Sequence, residues 1–195
     1  MSEGLAHLDR GALIAGGHAR RMGGQPKGLI PLPDGSTPVQ RALATLQAVC
    51  PGGVVLVGRA DHPYSALDLR TVPDGMADRG APGGVLGALT GADGWVAVLP
   101  VDLPHVGPDL LLDLLPHRAG HATLWQADGQ LQPLVGWWHA SAHAPLHRIL
   151  TEGAPGFRRI VGLLGDVTVV DHPDPARFHN LNRPEDLAVL RAGGR

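Results

Sequence analysis

The stretch from Gly11 to Lys27 sets the tightest limit on what this chain can become. Gly11-Ala12-Leu13-Ile14-Ala15 is a short apolar run that ends in Gly16-Gly17. It reads as a buried strand running into a glycine loop. The loop continues through His18-Ala19-Arg20-Arg21-Met22-Gly23-Gly24-Gln25-Pro26-Lys27, so four glycines and three cations follow directly on the strand. Glycine lets the backbone approach a phosphate and take positive φ. Its N–H groups can form an anion nest. Arg20, Arg21 and Lys27 can neutralise a triphosphate, the arginines bidentately. No Lys-Ser or Lys-Thr pair follows these glycines, which excludes a P-loop. The Gly-Gly, Gly-Gly spacing excludes the dinucleotide fingerprint Gly-x-Gly-x-x-Gly.

The rest of the chain supplies a scaffold for such a loop. Pro38 to Val49 carries Val39, Leu43, Leu46 and Val49 on one helix face, with Thr37 as N-cap and proline in the first position. Val54 to Val57 reads as a second buried strand. Leu67 to Val72 alternates and reads as a third. Val85 to Gly91 is a short helix, Trp95 to Leu99 an apolar strand, and Pro108 to Leu115 helical. Ala122 to Gln126 and Gln132 to Trp138 flank the hairpin signal Asp128-Gly129. Ala142 to Leu150 and Phe157 to Leu164 read as helices, Val167 to Val170 as a last strand, and Asn182 to about Leu190 as a capped terminal helix. Apolar strands alternating with helices predict an α/β fold: a Rossmann-like, mostly parallel sheet with helices on both faces. Ligands of such sheets bind beyond the carboxyl ends of the strands.

A length of 195 residues fits one domain over 1–195, with 1–10 expected to be a flexible N-terminus. The 28 glycines and 18 prolines sit between apolar runs, where turns belong, and form no low-complexity tract. A net charge of −2 gives no bulk attraction for nucleic acid, so an anionic substrate must be met by a local cationic cluster. The single cysteine, Cys50, excludes a disulfide framework and points to a reducing compartment. No apolar run is long enough to span a bilayer, and Met1 to Arg10 lack the apolar region of a signal peptide. A cytoplasmic protein is expected, with neither nucleic acid nor membrane as partner.

Ala15-Gly16-Gly17, then Arg21-Met22-Gly23, then Lys27, resembles the signature of the small nucleotidyltransferases, of the nucleotide-diphospho-sugar transferase fold type. Within them the similarity is to the molybdenum cofactor guanylyltransferase family, MobA. The resemblance implies that Ile14, Ala15, Gly16 and Gly17 touch the nucleotide, that Lys27 contacts its phosphates, and that Lys27 and Arg21 stabilise charge developing during transfer. Pro26 stands where the family usually has Asp. A Pro-Lys pair also occurs in related cytidylyltransferases.

Trp95 to Pro104 places Asp102 just past a buried strand. One or two carboxylates, phosphate oxygens and water commonly hold Mg²⁺, and Asp102 resembles the family's metal-binding Asp. Pro82-Gly83-Gly84-Val85-Leu86-Gly87 partly resembles the family's second glycine element, Gly-Pro-Leu-x-Gly, which lies against the base and implies a contact at Gly83. Asp74, in Val72-Pro73-Asp74, matches a position with an acidic nucleotide contact. The family's Asn after the second strand is replaced here by Gly58-Arg59.

On the acceptor side, Gln132-Pro133-Leu134-Val135-Gly136-Trp137-Trp138 resembles the family's Pro-Leu-x-Gly strand, implicating Pro133. Asn180-Leu181-Asn182 resembles its Asn-x-Asn ending. Asn side chains can both donate to and accept from a pterin, while Asn182 also suits a helix N-cap. Trp137 and Trp138 alternate on their strand, so one is expected in the core and the other in the cleft. His139, His143 and His147 have the spacing of one helix face, but Pro145 interrupts it and a polar surface stripe is expected.

The implied function is Mg²⁺-dependent transfer of GMP from GTP to molybdopterin cofactor. Catalytic roles fall to Arg21, Lys27 and Asp102, and acceptor roles to Pro133, Asn180 and Asn182. A molybdoenzyme or cofactor-delivery protein would be the downstream partner. Two alternatives stand beside this: a cytidylyltransferase for the same cofactor using CTP, and a non-catalytic nucleotide-binding relative.

Overall fold

The computed structural model describes residues 8–15, 21–22, 25–153 and 156–181. In chain order the elements are β1 (Arg10–Ile14), β2 (Arg21–Met22), β3 (Gln25–Pro26), α1 (Pro38–Val49), β4 (Val54–Val57), β5 (Thr71–Val72), α2 (Gly80–Leu89), β6 (Trp95–Pro100), α3 (Asp109–Leu112), β7 (Ala122–Ala127), β8 (Gln130–His139), α4 (His143–Thr151), α5 (Phe157–Leu164) and β9 (Val167–Asp171). Seven strands form one sheet in the order β5-β4-β1-β6-β8-β7-β9. The pairs β5–β4, β4–β1, β1–β6 and β7–β9 are parallel, and β8 runs against both β6 and β7. The mostly parallel sheet expected from the alternating pattern is therefore present, with β8 as its one reversed strand. β2 and β3 form a separate two-stranded ribbon, with Arg21 opposite Pro26.

Strand β1 lies at the centre of the parallel half, and its continuous apolar character follows from being covered on both faces. Leu13 points into a core with Val39, Ala42 and Leu46 of α1 and Leu110 and Leu111 of α3. Ala12 and Ile14 point the other way, toward Val85 and Leu86 of α2, Leu146 and Ile149 of α4 and Ile160 of α5. Helix α1 begins where sequence placed it. The Thr37 side chain accepts from the Gln40 amide and Gln40 returns the bond to the Thr37 backbone, satisfying two N–H groups that the helix start leaves open. The hairpin between β7 and β8 also forms as expected. Asp128 and Gly129 both take positive φ, 48° and 67°, the conformation a two-residue turn of this hand requires.

Several expectations are corrected. The strand predicted over Leu67 to Val72 shrinks to Thr71–Val72, because Ser65–Leu67 is a 3-10 turn and Asp68 closes it in the left-handed region at φ 51°. Alternation alone did not secure a ladder there. Helix α2 starts at Gly80, ahead of the predicted Val85, and takes in Pro82, Gly83 and Gly84. The segment after Pro108 is one turn of α-helix followed by a 3-10 turn at Leu115–His117. Neither tryptophan of β8 lines a cleft: both are fully buried, Trp137 in one core and Trp138 in the other. Their indole N–H groups donate to Leu111 O at 2.9 Å and Pro133 O at 3.0 Å. His139 ends β8, whereas His143 opens α4, so the three histidines share no helix face. The predicted terminal helix, with Asn182, lies outside the described residues, as do Gly16, Gly17 and the side chain of Arg21.

The N-terminal entry is tied down where it is described. Gly52 donates to Asp9 O at 2.9 Å, and Arg118 pairs with the Asp9 carboxylate at 2.6 Å while its guanidinium lies over Trp95 and Trp137. Among the described residues no helix is long and apolar enough to cross a membrane. Trp137 joins α3, the sheet and Arg118 at one fully buried ring. Trp137→Ala is expected to lower unfolding stability by about 3–5 kcal/mol, checked by urea denaturation; a loss under 1 kcal/mol would contradict this packing.

Candidate active site

Four parallel strands end side by side, and the candidate residues sit where they stop. Ala15 N donates to Val57 O at 2.8 Å and Gly58 N to Val72 O at 2.9 Å, so the ends of β1, β4 and β5 are locked in register. Strand β6 leaves the sheet at Pro100 and turns through Val101–Asp102. Ile14, Ala15, Asp74 and Asp102 therefore lie along one edge, the place where open α/β sheets bind ligands.

Lys27 reaches this edge because of the residue after it. It opens a 3-10 turn, Lys27–Leu29, and the next position is a buried glycine. A Cβ on Gly28 would stand 2.6 Å from Val101 O and 2.8 Å from Tyr64 Oη, closer than real side chains come. Any larger residue would push the turn away from the end of β6. Burial, reinforced by the charge of Asp102, pushes the Tyr64 phenol up to about 12 against an opposing pull from the Gly28 backbone, so it remains neutral.

Asp102 is a carboxylate in conflict with its surroundings. Burial raises its pKa; the positive charge of Lys27, and then its own backbone N–H, oppose the rise without cancelling it. Its carbonyl accepts from Leu181 N at 3.2 Å, which brings the exposed Asn180 next to the same turn. The charge of Lys27 is thus felt at Asp102 although the two residues lie far apart in the chain.

Asp74 is held differently. Burial alone raises its pKa, and among the described residues its buried Oδ1 meets no hydrogen-bond donor. The segment carrying it is pressed against α2. Cβ atoms on Gly83 and Gly87 would stand 2.5 Å from Met76 O and 2.4 Å from Pro73 O, and one on Gly84 would stand 2.9 Å from Ile14 Cγ2 and 3.6 Å from Asp74 Oδ1. Gly75 N donates to Gly83 O at 2.9 Å. Glycines 83, 84 and 87 thus let helix and loop backbones touch, which fixes Asp74 beside Ile14. Gly83 lies in the first turns of the helix rather than in an open loop, and its visible reason is this packing.

Pro133 occupies an interruption of the sheet. Leu124 pairs with Gly136 and Trp125 with Gln132, which leaves Pro133, Leu134 and Val135 of β8 without counterparts on β7. A bulge is one of the few places in a sheet that tolerate proline. Arg59, just after β4, is exposed and paired with Asp61 at 2.8 Å. Sequence reading missed Gly28 and Tyr64. A glycine directly after the lysine was a usable signal; nothing local marks Tyr64.

The chain and its fold are matched by known proteins. A family model described as "MobA-like NTP transferase domain" matches residues 11–173. The chain belongs to that family. It is accordingly a nucleotidyltransferase. A relative named "Probable molybdenum cofactor guanylyltransferase" from Chloroflexus aggregans is 33% identical, with 93% of each chain covered. A "Molybdenum cofactor guanylyltransferase" from Nitrobacter hamburgensis is 31% identical over 92% of this chain and 91% of its own length. Among solved structures, the Archaeoglobus fulgidus "Molybdopterin-guanine dinucleotide biosynthesis protein A" superposes with a TM-score of 0.72 at 21% identity, covering 94% of this chain and 97% of its own. The Thermus thermophilus "2-C-methyl-D-erythritol 4-phosphate cytidylyltransferase" gives 0.64 at 20% identity, over 93% and 96%. These two likenesses concern the fold.

The raised carboxyls have a measurable consequence. A group whose pKa in the folded state exceeds its ordinary 3.8 favours folding while neutral. That contribution is complete below 3.8 and is lost as pH rises through the raised value. At pH 7 the ionised Asp74 therefore destabilises the ligand-free protein relative to an amide. Asp74→Asn is expected to raise Tm at pH 7, with the gap closing below pH 4. Asp102→Asn should gain less, because it also discards the attraction to Lys27. A lower Tm for Asp74→Asn at pH 7 would overturn this account.

Proposed function

We propose that this nucleotidyltransferase moves GMP from GTP to the phosphate of molybdopterin cofactor, releasing pyrophosphate. The observation that carries the reading is the convergence of Lys27 and the partly buried Asp102 at the end of β6, with Asn180-Leu181 docked on the same turn. The names of the relatives support the choice of substrates.

The donor set fits a magnesium ion. Mg²⁺ is usually held by one or two carboxylates together with substrate phosphates and water, not by an all-protein cage. Asp102 offers one partly buried carboxylate, and among the described residues no group of three or more His, Cys, Asp or Glu side chains gathers that would form a closed site. Bound at Asp102, the ion would neutralise phosphate charge and act as a Lewis acid. Burial that disfavours the lone carboxylate makes it a better partner for a cation than an exposed acid would be.

The chain's own groups do the rest. Ile14, Ala15, Gly16 and Gly17 touch the nucleotide through backbone atoms, the N–H groups of the loop beyond Ala15 receive the phosphates, and Lys27 and Arg21 take up charge on them. Asp74 accepts from a donor of the nucleoside through its unpaired Oδ1, with Gly83 behind it. Pro133, Asn180 and Asn182 form the acceptor side. An acceptor phosphate oxygen attacks the α-phosphorus, and the bond from that phosphorus to the bridging oxygen breaks. Pyrophosphate leaves with the electron pair. The nucleophile is already ionised at neutral pH, so no general base is needed, and catalysis rests on positioning and electrostatics. A cytoplasmic setting and a recipient molybdoenzyme or delivery protein belong to the same reading.

A second reading keeps every role and exchanges the base. Pro26 directly before Lys27 is the observation that favours CTP. Calorimetric titration with GTP and with CTP, each with Mg²⁺, separates the two. Tighter GTP binding is expected, and tighter CTP binding would transfer the assignment. Asp102→Ala should abolish Mg²⁺-dependent pyrophosphate release, and Lys27→Ala should weaken GTP binding by about 10-fold or more, the scale of a lost charge-assisted contact. Substantial residual turnover in the first, or unchanged affinity in the second, would refute the assigned roles.

A further inference from the structure

The turn that carries Asp102 has few backbone partners of its own. Beyond Pro100 the chain leaves the sheet, and its carbonyls point to groups from other elements. Asp102 O accepts from Leu181 N at 3.2 Å. Pro104 O accepts from Arg41 Nη1 at 2.5 Å. His105 O accepts from Arg177 Nε at 3.0 Å. Two guanidiniums and one amide, separated from the turn by 63 and 72 residues in the case of the arginines, thus hold consecutive parts of one short segment.

Each guanidinium is itself aimed. Arg41, on α1, donates Nε to Ser36 Oγ at 2.9 Å and Nη2 to Asp34 at 2.8 Å. Asp34 also accepts from the Ser36 hydroxyl at 2.6 Å, and these bonds hold its carboxyl down at about 2, so it stays ionised. Arg177 lies on a 3-10 turn, Pro175–Phe178, whose start is capped by the Asp174 side chain and whose end is pinned by the buried Phe178. It pairs with Asp109, in the first turn of α3, at 2.7 Å. Arginine suits this because one planar fork can satisfy a carbonyl and a carboxylate together. Leu103, between Asp102 and Pro104, is buried in the core and anchors the turn there.

We propose that Arg41 and Arg177 are positioning residues for the Asp102 turn, bracing its carbonyls from two sides so that the carboxylate is aimed at a divalent cation before nucleotide arrives. The inference rests on the reading that Asp102 holds that cation. A ligand left to find its own orientation binds metal more weakly, because ordering the turn is then charged against binding. The brace also joins the two halves of the site. Arg177 and Leu181 belong to the segment that presents Asn180, so the acceptor side and the metal turn are one mechanical unit.

The test uses Mn²⁺ as the probe, followed by its paramagnetic signal in the presence of GTP, without acceptor. Arg177→Met and Arg41→Met keep length and lose the donors. Each is expected to weaken Mn²⁺ binding by about 10–100-fold, while GTP affinity measured without metal stays within about 2-fold. The conservative Arg177→Lys should recover part of the loss, and the double Met variant should fall short of the product of the two losses, because both braces act on one segment. Thermal melts identify any variant that has lost its fold, in which case Arg177→Lys and Arg41→Lys carry the comparison. Folded Met variants with wild-type Mn²⁺ affinity would overturn the proposal. Failure of the wild type to bind Mn²⁺ with GTP would instead overturn the metal role of Asp102, and the brace with it.

Discussion

Burial pushes the Asp102 carboxyl toward its neutral form, and the charge of Lys27 is the first force that resists it. Much of the site is arranged around that opposition. The two residues come from segments far apart in sequence, so their approach must be built by packing. Gly28 does this by giving up its side chain to the carbonyl of Val101, and Tyr64 closes the space beside it as a neutral phenol. A more exposed Asp102 would need no such support, but it would lose to water much of its attraction for a cation. The fold therefore accepts an unfavourable carboxylate and surrounds it with the contacts that keep it poised.

The opposite edge of the site follows the same logic without a countercharge. Asp74 owes its position to backbone contact between its own segment and α2, and that contact exists only because positions 83, 84 and 87 lack side chains. These glycines cost helix propensity, about 1 kcal/mol each. Buried packing of Val85, Leu86 and Leu89 against the sheet offsets that cost. A buried oxygen with no donor is a standing loss in the ligand-free protein, and it turns into affinity once a donor arrives. Stability and binding are traded at the same atom.

How legible this was depended on distance along the chain. Thr37, Pro38 and the apolar spacing behind them specify α1 locally, and Asp128-Gly129 specifies its hairpin, so both were readable to the residue. The place of Asp102 just past β6 was readable because a strand end and a carboxylate are adjacent in the chain. The alternating run Leu67 to Val72 misled, since a ladder needs a partner strand as well as a pattern, and the left-handed Asp68 ends the 3-10 turn before pairing begins. The tryptophans misled for a related reason. Alternation correctly put them on opposite faces, but both faces of this sheet are covered, so opposite faces mean two cores. Arg41 and Arg177 left no trace, because what they recognise is the carbonyls of Pro104 and His105, and a backbone carbonyl has no residue type.

That invisibility has a mechanistic side. When a nucleophile arrives already ionised, the protein has no proton to move, and rate depends on how well charge and geometry are set before reaction. The groups that set them need not touch substrate. In this chain the carboxylate stands on a turn beyond the last hydrogen bond of its strand, where the sheet can no longer hold it. Rigidity has to be imported, and the braces from α1 and from the segment before Asn180 supply it. The segment that presents Asn180 is thereby part of the support for the Asp102 turn, so anything that shifts Asn180 also bears on the aim of that carboxylate.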